Sequence, residues 1–248
     1  MKKLDIVLPV LNEENILNKN VGILYKFLQN NLSSLNWKII ITDNGSVDLT
    51  QRFGEKLAKE NIEIEYLRLE ERGRGRALKH SWGNSKADLV SYMDIDLSTN
   101  LSHFPELVMS ILYEDYDLAI GSRLLNNSQV QGRTFFREIC SRGYSFIFRT
   151  MFNTKFYDAQ CGFKVLNISS MKETLKVVED NEWFFDTELL IIAEKNRYKI
   201  KEIAVEWVDD SDSRVNVLKT IFQDLKGLFR LKFGGLKKAS LKLKTHKG

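Results

Sequence analysis

Residues 91–98 read Ser-Tyr-Met-Asp-Ile-Asp-Leu-Ser and join an apolar run to two closely spaced acids. The apolar character of residues 87–93 predicts a buried β-strand, and Asp94 and Asp96 follow where it ends. Side chains two apart on an extended segment point the same way, so both carboxylates should face one small volume. Oxygen ligands of this kind favour Mg²⁺ or Mn²⁺. A solvated acidic turn is the alternative when this motif stands alone.

Short apolar runs alternate with amphipathic segments through the first half of the chain. The pattern predicts an α/β fold with a mostly parallel central sheet flanked by helices. The predicted strands are 4–10, 38–42, 62–67, 87–93 and 117–120. The predicted helices are 12–32, a segment from Ser46 or Asp48 to about residue 60, 74–86, and one that Pro105 initiates.

Acidic residues follow three of these strands. Glu13 comes after the first strand, Asp43 ends the second, and Asp94 and Asp96 follow the fourth. Ligands of open parallel sheets bind beyond the carboxyl ends of the strands. Any one acid could stand there by chance, but the three together predict a common site.

The second half of the chain is less regular. We predict a turn and strand over residues 160–166, a helix over 183–195, a strand over 200–205 and an amphipathic helix over 215–233. There is no internal repeat and no flexible linker. The expected organisation is one domain, residues 1–233, followed by a basic, membrane-associating tail, residues 234–248.

Composition restricts the class of protein. An apolar content of 43% with 28% charged residues is ordinary for a soluble globular protein with a substantial core. The two cysteines, Cys140 and Cys161, need not pair, which favours a reducing compartment. Residues 1–5 lack the apolar core of a signal peptide, and no apolar run approaches the roughly 18 residues of a spanning helix. We therefore expect a cytoplasmic protein without a transmembrane span.

The distribution of charge and apolar residues predicts a membrane surface. Residues 226–248 contain eight Lys or Arg and no acid, although the net charge of the whole chain is only +4. Basic residues surround an apolar helical stripe made of Val217, Leu218, Ile221, Phe222, Leu225, Leu228 and Phe229. Such a segment fits an anionic bilayer surface. A partner helix is the alternative, and nucleic acid is not expected because the aromatics precede the basic run.

A second aromatic set lies earlier in the chain. It consists of Phe135, Phe136, Tyr144, Phe146, Phe148, Phe152 and Phe156. These residues form either another apolar surface beside the site or plain core, and the sequence leaves both open.

Five motifs in order carry a resemblance to a known family. They are LPVLNE (8–13), TDNGSVD (42–48), RGRGRA (72–77), MDID (93–96) and GSR (121–123). Together they resemble family 2 glycosyltransferases of the GT-A fold. Two later segments, DAQCGFK (158–164) and WFFDTELL (183–190), resemble the dolichyl-phosphate β-glucosyltransferase branch, close to the dolichyl-phosphate mannosyltransferases. The resemblance covers about residues 4–233.

The resemblance implies a nucleotide-diphosphate sugar as donor, with UDP-glucose as the expected compound. The residues matching its binding site are Pro9, Leu11, Asn12, Glu13, Asp43, Asn44, Arg74, Asp94, Ile95 and Arg214. Asp94 and Asp96 would hold Mg²⁺ or Mn²⁺ at the diphosphate. Asn44 stands where many relatives have a second Asp, and Arg74 replaces the usual Lys of the Gly-rich loop.

The resemblance also implies a polyprenyl phosphate as acceptor. Arg123, Arg137 and Ser141 match residues that bind the acceptor phosphate in the mannosyltransferases, and Asp96, Arg123 and Arg137 are the expected catalytic residues. A phosphate monoester is anionic near neutral pH and needs no strong general base. In-line attack would invert the anomeric centre and give a β-linked lipid phosphosugar. The enzyme would sit peripherally on the cytoplasmic face of a membrane.

Two other functions stay open. A transferase to a hydroxyl of a saccharide or glycolipid would need a carboxylate base, for which Asp186 and Glu188 are candidates. The same two acids could instead be structural and pair with Lys164 or an arginine, which we prefer. A non-catalytic nucleotide-sugar binder that docks on membranes is the other alternative.

Overall fold

The computed structural model describes residues 1–209 and 217–245. Its strands are β1 (Lys3–Val10), β2 (Asn36–Asp43), β3 (Ile64–Arg68), β4 (Leu89–Met93), β5 (Leu118–Ser122), β6 (Gln129–Gln131), β7 (Phe163–Asn167), β8 (Ile200–Ala204) and β9 (Glu206–Val208). Its α-helices are α1 (Leu17–Asn31), α2 (Thr50–Glu60), α3 (Arg74–Asn84), α4 (Phe104–Tyr113), α5 (Phe135–Phe152), α6 (Ile168–Val177), α7 (Phe185–Lys195), α8 (Val217–Arg230) and α9 (Leu236–Thr245).

A seven-stranded sheet forms the centre of the fold, in the order β3-β2-β1-β4-β7-β5-β8. All neighbouring strands run parallel except β7, which is antiparallel to both β4 and β5. The predicted α/β fold with a mostly parallel sheet is therefore confirmed. Because β1, β2 and β4 are parallel, their carboxyl ends meet at one edge of the sheet.

Helices cover both faces of this sheet, which explains why β1 is apolar at nearly every position. Val7 faces a core that contains Trp82 of α3, whereas Leu8 faces a second core with Val21 of α1 and Leu107 of α4. Each of these side chains is fully buried. Consecutive strand residues point to opposite faces, so only a strand covered on both sides needs such a run.

The first helix begins later than the sequence predicted, at Leu17 instead of Asn12. Asn12 has a left-handed φ of 55°, which ends the extended backbone of β1 without starting a helix. Its backbone N–H donates to Ser46 Oγ at 2.9 Å, and its side-chain Oδ1 accepts from the Val47 N–H at 2.9 Å. Residues 12–14 therefore join the loop after β2 instead of forming a helical turn.

A separate two-stranded sheet joins β6 to β9 in parallel. Its Trp207 also forms a bridge to Thr99, and the Val208 N–H donates to the Ser98 carbonyl oxygen at 2.9 Å. These contacts fix the segment after β8 beside the segment that follows Asp96.

The C-terminal helices fold back onto the body of the protein. Leu228 of α8 and Leu243 of α9 are buried in the same core as α7, and Lys238 Nζ lies 2.8 Å from Glu179 Oε1. A kink over Leu231–Gly235 separates the two helices, with Gly234 at a φ of 130°. The membrane-associating role of residues 234–248 stays a prediction. No α-helix in residues 1–209 or 217–245 has the length and apolar character to cross a bilayer.

Candidate active site

Asp94 and Asp96 lie in a tight turn at the carboxyl end of β4. The strand ends at Met93, and the Leu97 N–H donates to the Asp94 carbonyl oxygen at 3.1 Å. Leu97 has a left-handed φ of 53°. The expectation that the two carboxylates share a direction through strand alternation is thus wrong, because residues 95 and 96 are in the turn. The turn itself keeps the acids near each other.

Few groups offset the negative charge of the Asp96 carboxylate. Its Oδ1 accepts the Ser98 N–H at 2.9 Å, yet burial and the nearby Asp94 charge raise the pKa of its carboxyl above the ordinary value. A divalent cation between two such acids would relieve this repulsion. In the described ranges no group of three or more His, Cys, Asp or Glu is placed to hold a metal ion. A bound cation would therefore take its other ligands from substrate and water.

Arg74 fixes the position of Asp94. Its Nη2 lies 2.5 Å from Asp94 Oδ1, and its guanidinium lies over the rings of Tyr92 and Trp183 at 5.1 and 4.9 Å from their centroids. Gly162 lies directly against the Arg74–Asp94 pair, since a Cβ at this position would lie 1.9 Å from Asp94 Oδ2. The Gly-rich loop therefore reaches the acidic turn through one guanidinium held between two aromatic rings.

Asp43 ends β2 and Asn44 follows it, and both were predicted to bind the nucleoside. Asp43 is fully buried and accepts hydrogen bonds from the Ser46 N–H at 2.8 Å, the Tyr66 hydroxyl at 2.6 Å and Arg68 Nη1 at 3.2 Å. These bonds make Asp43 the anchor of the loop. Asn44 is buried too, and within the described residues its Oδ1 has no hydrogen-bond partner. That oxygen is a buried acceptor that the described residues leave unused.

The other residues predicted for the nucleotide surround this edge. Pro9 lies in β1, Leu11 and Glu13 follow its end half-buried, and the Glu13 N–H donates to Thr50 Oγ1 at 2.8 Å. Ile95 is 6% exposed and packs into the core beneath the turn. Arg214, predicted to close over the diphosphate, lies outside the described residues.

Arg123 reaches the same small cavity as Asp94. The cavity is lined by both residues and by Thr99, Gly162 and Trp207. The Arg123 guanidinium lies 5.3 Å from the Trp207 ring centroid. The structure thus brings the acidic turn and this predicted acceptor residue together in one place.

Asp158 holds Arg123 in position. Arg123 Nε lies 2.8 Å from Asp158 Oδ2 and Nη2 lies 2.9 Å from Oδ1. Burial alone would raise the pKa of the Asp158 carboxyl, but the Arg123 charge and hydrogen bonds lower it to about 2. The ion pair is therefore fully charged at neutral pH, and Arg123 Nη1 points to no partner in the described part of the chain.

Arg137 and Ser141 lie on the first turns of α5. Arg137 Nη1 bonds both carboxylate oxygens of Asp209, at 2.9 and 2.8 Å, and Ser141 Oγ accepts a hydrogen bond from Arg133. Thr134 caps the helix through the Arg137 N–H. The two-stranded sheet carries Asp209 to this helix, because β6 precedes α5 and β9 precedes Asp209.

The two candidate general bases are both buried in ion pairs. Asp186 Oδ1 lies 2.9 Å from Lys164 Nζ and accepts from the Tyr92 hydroxyl at 2.6 Å. Glu188 Oε2 lies 2.8 Å from Arg230 Nη2. Asp186 is 3% exposed and Glu188 is 1% exposed. This is the structural pairing that the sequence analysis preferred.

Several side chains join the site without having been assigned a role from the sequence. Asp158, Gly162 and Trp183 stood in quoted motifs, whereas Arg133 and Trp207 carried no signal beyond their residue type. Their positions depend on contacts between segments that are distant in sequence, and local motifs do not predict such contacts.

The second aromatic set, which lies on α5 and at Phe156 after it, divides between core and surface. Tyr144, Phe148, Phe152 and Phe156 are buried, whereas Phe135, Phe136 and Phe146 are 80%, 55% and 70% exposed. Core packing therefore describes four of these residues, and the role of the three exposed ones as a surface beside the site stays a prediction.

The amphipathic stripe of α8 divides in the same way. Leu228 is buried and Leu225 packs against the core, whereas Phe222, Phe229 and the following Phe233 are 71%, 53% and 81% exposed.

Comparison with known proteins identifies the family. The model of Glycosyl transferase family 2 matches residues 5–175. Glycosyltransferase AglD of Haloferax volcanii is 31% identical over 220 residues, which is 88% of this chain and 35% of AglD. Dolichyl-phosphate beta-glucosyltransferase of Dictyostelium discoideum is 28% identical over 242 residues, 93% of this chain and 74% of that protein. The chain thus spans about a third of AglD and three quarters of the Dictyostelium protein.

A solved structure supports the same fold. Glucosyl-3-phosphoglycerate synthase from Mycobacterium tuberculosis, crystallised with Mn²⁺ and UDP-glucose, superposes with a TM-score of 0.68. The two sequences are 18% identical, and the match covers 94% of this chain and 79% of the synthase. With the sheet order and the family match, this likeness confirms the predicted GT-A fold. The chain belongs to glycosyl transferase family 2.

Proposed function

We propose that this chain is an inverting glycosyltransferase that moves glucose from UDP-glucose to a polyprenyl phosphate such as dolichyl phosphate. The product is a β-linked lipid phosphosugar. The observation that carries this proposal is the contrast between the arginine at the cavity and the two acids considered as general bases. Arg123 lines the cavity beside Asp94 and keeps its Nη1 group unbonded among the described residues, whereas both candidate general bases are held in buried ion pairs.

The donor binds at the carboxyl edge of β1, β2 and β4. Asn44 Oδ1 offers a buried acceptor for the base or ribose, and Asp43 holds the loop that carries it. Relatives 26–28% identical in Dictyostelium and yeast are named as dolichyl-phosphate beta-glucosyltransferases, and the mycobacterial synthase of the same fold was crystallised with UDP-glucose. These likenesses support UDP-glucose as the compound to test first.

Asp94 and Asp96 fit a divalent cation, Mg²⁺ or Mn²⁺. Both acids of the turn offer oxygen ligands, and burial together with the Asp94 charge raises the pKa of the Asp96 carboxyl. A bound ion would offset the negative charge that appears on the departing nucleotide diphosphate. Arg74 orients Asp94 for this role, and Gly162 leaves the space that the pair requires.

Arg123, Arg137 and Ser141 bind the acceptor phosphate. The planar guanidinium engages two phosphate oxygens, and the carboxylates of Asp158 and Asp209 fix the orientation of each arginine. The phosphate is already anionic, so its oxygen attacks the anomeric carbon without first losing a proton to a base. The sugar–oxygen bond to the diphosphate breaks on the opposite side as the new bond forms. Catalysis then depends on alignment and charge stabilisation.

A lipid acceptor requires that the enzyme work at a membrane surface, and we propose that this is the cytoplasmic face. Exposed aromatics occur on α5 and on α8, and Lys232, after α8, bonds the Met151 carbonyl oxygen of α5 at 2.6 Å. The ends of these helices therefore lie side by side. Exposed aromatics next to basic residues suit the headgroup region of a bilayer.

The proposal is tested by incubating the purified protein with radiolabelled UDP-glucose, Mg²⁺ or Mn²⁺, and dolichyl or undecaprenyl phosphate. We expect label in the lipid fraction, and none when the free polyprenol replaces its phosphate. Asp96→Asn should abolish the product. Asp115→Asn, which changes an exposed acid that pairs with Lys199, should not.

Two results would contradict the proposal. Glucose transfer to a free polyprenol or a soluble sugar, but not to the phosphate, would favour the hydroxyl-acceptor alternative. UDP-glucose binding by calorimetry with no transfer to any acceptor would favour a non-catalytic binder.

A further inference from the structure

Arg133 lies on the short segment between β6 and α5 and is almost fully enclosed, with 10% of its side chain exposed. Its Nη1 lies 3.1 Å from Glu138 Oε2, and its Nη2 donates to Ser141 Oγ. Ser141 is one of the residues that the proposed function assigns to the acceptor phosphate. Arg133 therefore contacts that site directly, although no motif pointed to it.

The charges around Arg133 do not balance. Arg123 pairs with Asp158 and Arg137 with Asp209, while Arg133 and Arg142 share Glu138, whose Oε1 lies 2.5 Å from Arg142 Nε. Among the described residues, these four guanidiniums thus have three carboxylates as direct ion-pair partners. This leaves one positive charge, and an anion would compensate it.

Arg133 is close enough to the other groups for their charges to act on it. Burial and the Arg123 charge lower the pKa of Arg133, while Asp158, Glu138 and Asp209 act in the opposite direction. A buried cation beside another cation is costly unless a partner is supplied. The surplus charge therefore belongs to the same space as Arg123, not to a remote surface.

We propose that Arg133 is a third arginine of the acceptor-phosphate site and binds the phosphate together with Arg123, Arg137 and Ser141. The inference rests on the proposed function and extends it. The Ser141 hydroxyl accepts from Arg133, so its own hydrogen is left to donate, and a phosphate oxygen can accept it. A dianionic phosphate monoester matches the surplus charge better than a neutral hydroxyl does.

The competing interpretation is that Arg133 only holds Glu138 and the start of α5. Arg142 provides a matched control, because it pairs with the same carboxylate from a side chain that is 57% exposed. The variants to compare are Arg133→Gln, Arg133→Lys and Arg142→Gln. The probe is farnesyl phosphate, with farnesol as the uncharged counterpart and UDP for the donor site.

Binding of farnesyl phosphate and UDP is measured by calorimetry, and the KM for each substrate by glucose transfer. Arg133→Gln should weaken farnesyl phosphate binding and raise its KM by about 10- to 100-fold, the usual effect of losing a hydrogen bond to a charged group. Its affinity for UDP should stay within about twofold. The farnesyl phosphate affinity of Arg133→Lys should lie between those of wild type and Arg133→Gln, since lysine keeps the charge without the planar guanidinium. Arg142→Gln should match wild type.

The outcomes separate this inference from the proposed function. If wild type transfers glucose and Arg133→Gln binds farnesyl phosphate as well as wild type does, Arg133 is not part of the phosphate site. Equal losses in Arg133→Gln and Arg142→Gln would likewise assign both to the support of Glu138. If wild type neither binds farnesyl phosphate nor transfers glucose, the proposed function itself fails, and this inference with it. Should Arg133→Gln lack a cooperative thermal transition, Arg133→Lys decides by the same comparison.

Discussion

The Asp158 carboxylate accepts two hydrogen bonds from the Arg123 guanidinium, with Oδ2 2.8 Å from Nε and Oδ1 2.9 Å from Nη2. The Arg123 backbone N–H also donates to Oδ2 at 2.9 Å. Asp158 is 3% exposed at its side chain and Arg123 is 15% exposed. The contact therefore ties the end of β5 to the loop before β7 in a place that water hardly reaches.

Asp158→Asn should destabilise the protein by about 3 kcal/mol near neutral pH, because it leaves the buried Arg123 charge uncompensated. The pKa of Asp158 is about 2, below the ordinary value of about 3.9 in an unfolded chain. The unfolded state thus takes up its proton first as pH falls, and the carboxylate's contribution, present above pH 4, is lost toward pH 2. Urea unfolding between pH 7 and pH 3 should show the difference from wild type shrinking. A difference that is constant across this range would contradict the ion-pair explanation.

Gly162→Ala should damage the site without touching the core. Its Cβ would lie 1.9 Å from Asp94 Oδ2 and 2.7 Å from Arg74 Nη2, so the Arg74–Asp94 pair must move. Displacement of a catalytic group by about 1 Å commonly costs about 100-fold in rate, and we expect a loss of this size in kcat/KM for UDP-glucose.

Gly22→Ala is the matched control, since nothing lies within 4 Å of a Cβ placed there in α1. It should leave activity unchanged and stabilise the helix by about 0.5–1 kcal/mol. Wild-type activity in Gly162→Ala would show that Asp94 has room to move without consequence.

The sequence predicted the sheet and its acidic edge because those features follow from local patterns. An apolar run such as β1 needs cover on both faces, and parallel neighbours then bring Asp43 and Asp94 to one edge. The Arg74 contact with Asp94 and the Asp158 contact with Arg123 were not predictable in the same way. Each joins segments 20 or 35 residues apart whose approach is set by packing.

The start of α1 shows a second reason why a structural feature could not be predicted from the sequence. Asn12 and Glu13 have the composition of a helix N-terminus, and the sequence analysis placed the helix there. The hydroxyls of Ser46 and Thr50 instead accept the N–H groups of these two residues. Contacts with a segment more than 30 residues away thus keep Asn12 and Glu13 out of the helix that their residue types predict. That segment is part of the predicted nucleotide site.

The buried pair of Lys164 and Asp186 should behave as structural. Lys164 is fully buried, with Nζ 2.9 Å from Asp186 Oδ1 and 2.6 Å from the Cys161 carbonyl oxygen. Lys164→Met or Asp186→Asn alone should cost about 3–5 kcal/mol, because each leaves one buried charge unpaired. The double variant should cost less than the sum, with a coupling of about 2 kcal/mol in urea unfolding.

Activity measurements distinguish this role from general-base catalysis. A structural Asp186 predicts that the Asp186→Asn protein that remains folded transfers glucose at nearly the wild-type rate. Loss of transfer in folded Asp186→Asn protein would make Asp186 a participant in the reaction and favour a hydroxyl acceptor.

The exposed aromatics of α8 and its kink should carry membrane attachment. Replacing Phe222, Phe229 and Phe233 by Ser removes three side chains that are 53–81% exposed, two of which stack at 6.1 Å between ring centroids. Binding to vesicles of anionic phospholipid should weaken by at least about tenfold in a sedimentation assay. Ile62→Ser, at a 90% exposed position before β3, is the control and should bind as wild type does. Equal binding by the triple variant would assign attachment to other residues.

Asp224 should make the protein less stable at pH 7 and above than at pH 4. This residue of α8 is 2% exposed, its Oδ2 accepts from Gln160 Nε2 at 2.6 Å, and its Oδ1 has no partner among the described residues. Burial, with the charges of Asp180 and Asp186, raises its pKa to about 7, whereas Gln160 acts in the opposite direction. The native state therefore holds a proton that the unfolded state loses near pH 4, and stability falls as pH rises from about 4 to 7.

Asp224→Asn mimics the protonated acid and should stabilise the protein by about 2 kcal/mol at pH 8, with the gain vanishing near pH 4. The amide oxygen keeps the bond from Gln160, so the link between α8 and the loop beside Cys161 and Gly162 is preserved. Thermal unfolding of both proteins from pH 4 to pH 8 measures the effect. Asp115→Asn, at a 91% exposed side chain, is the control and should show no comparable gain at pH 8. A stabilisation of equal size at pH 4 and pH 8 would mean that Asp224 is ionised in both states, and burial would then not govern its titration.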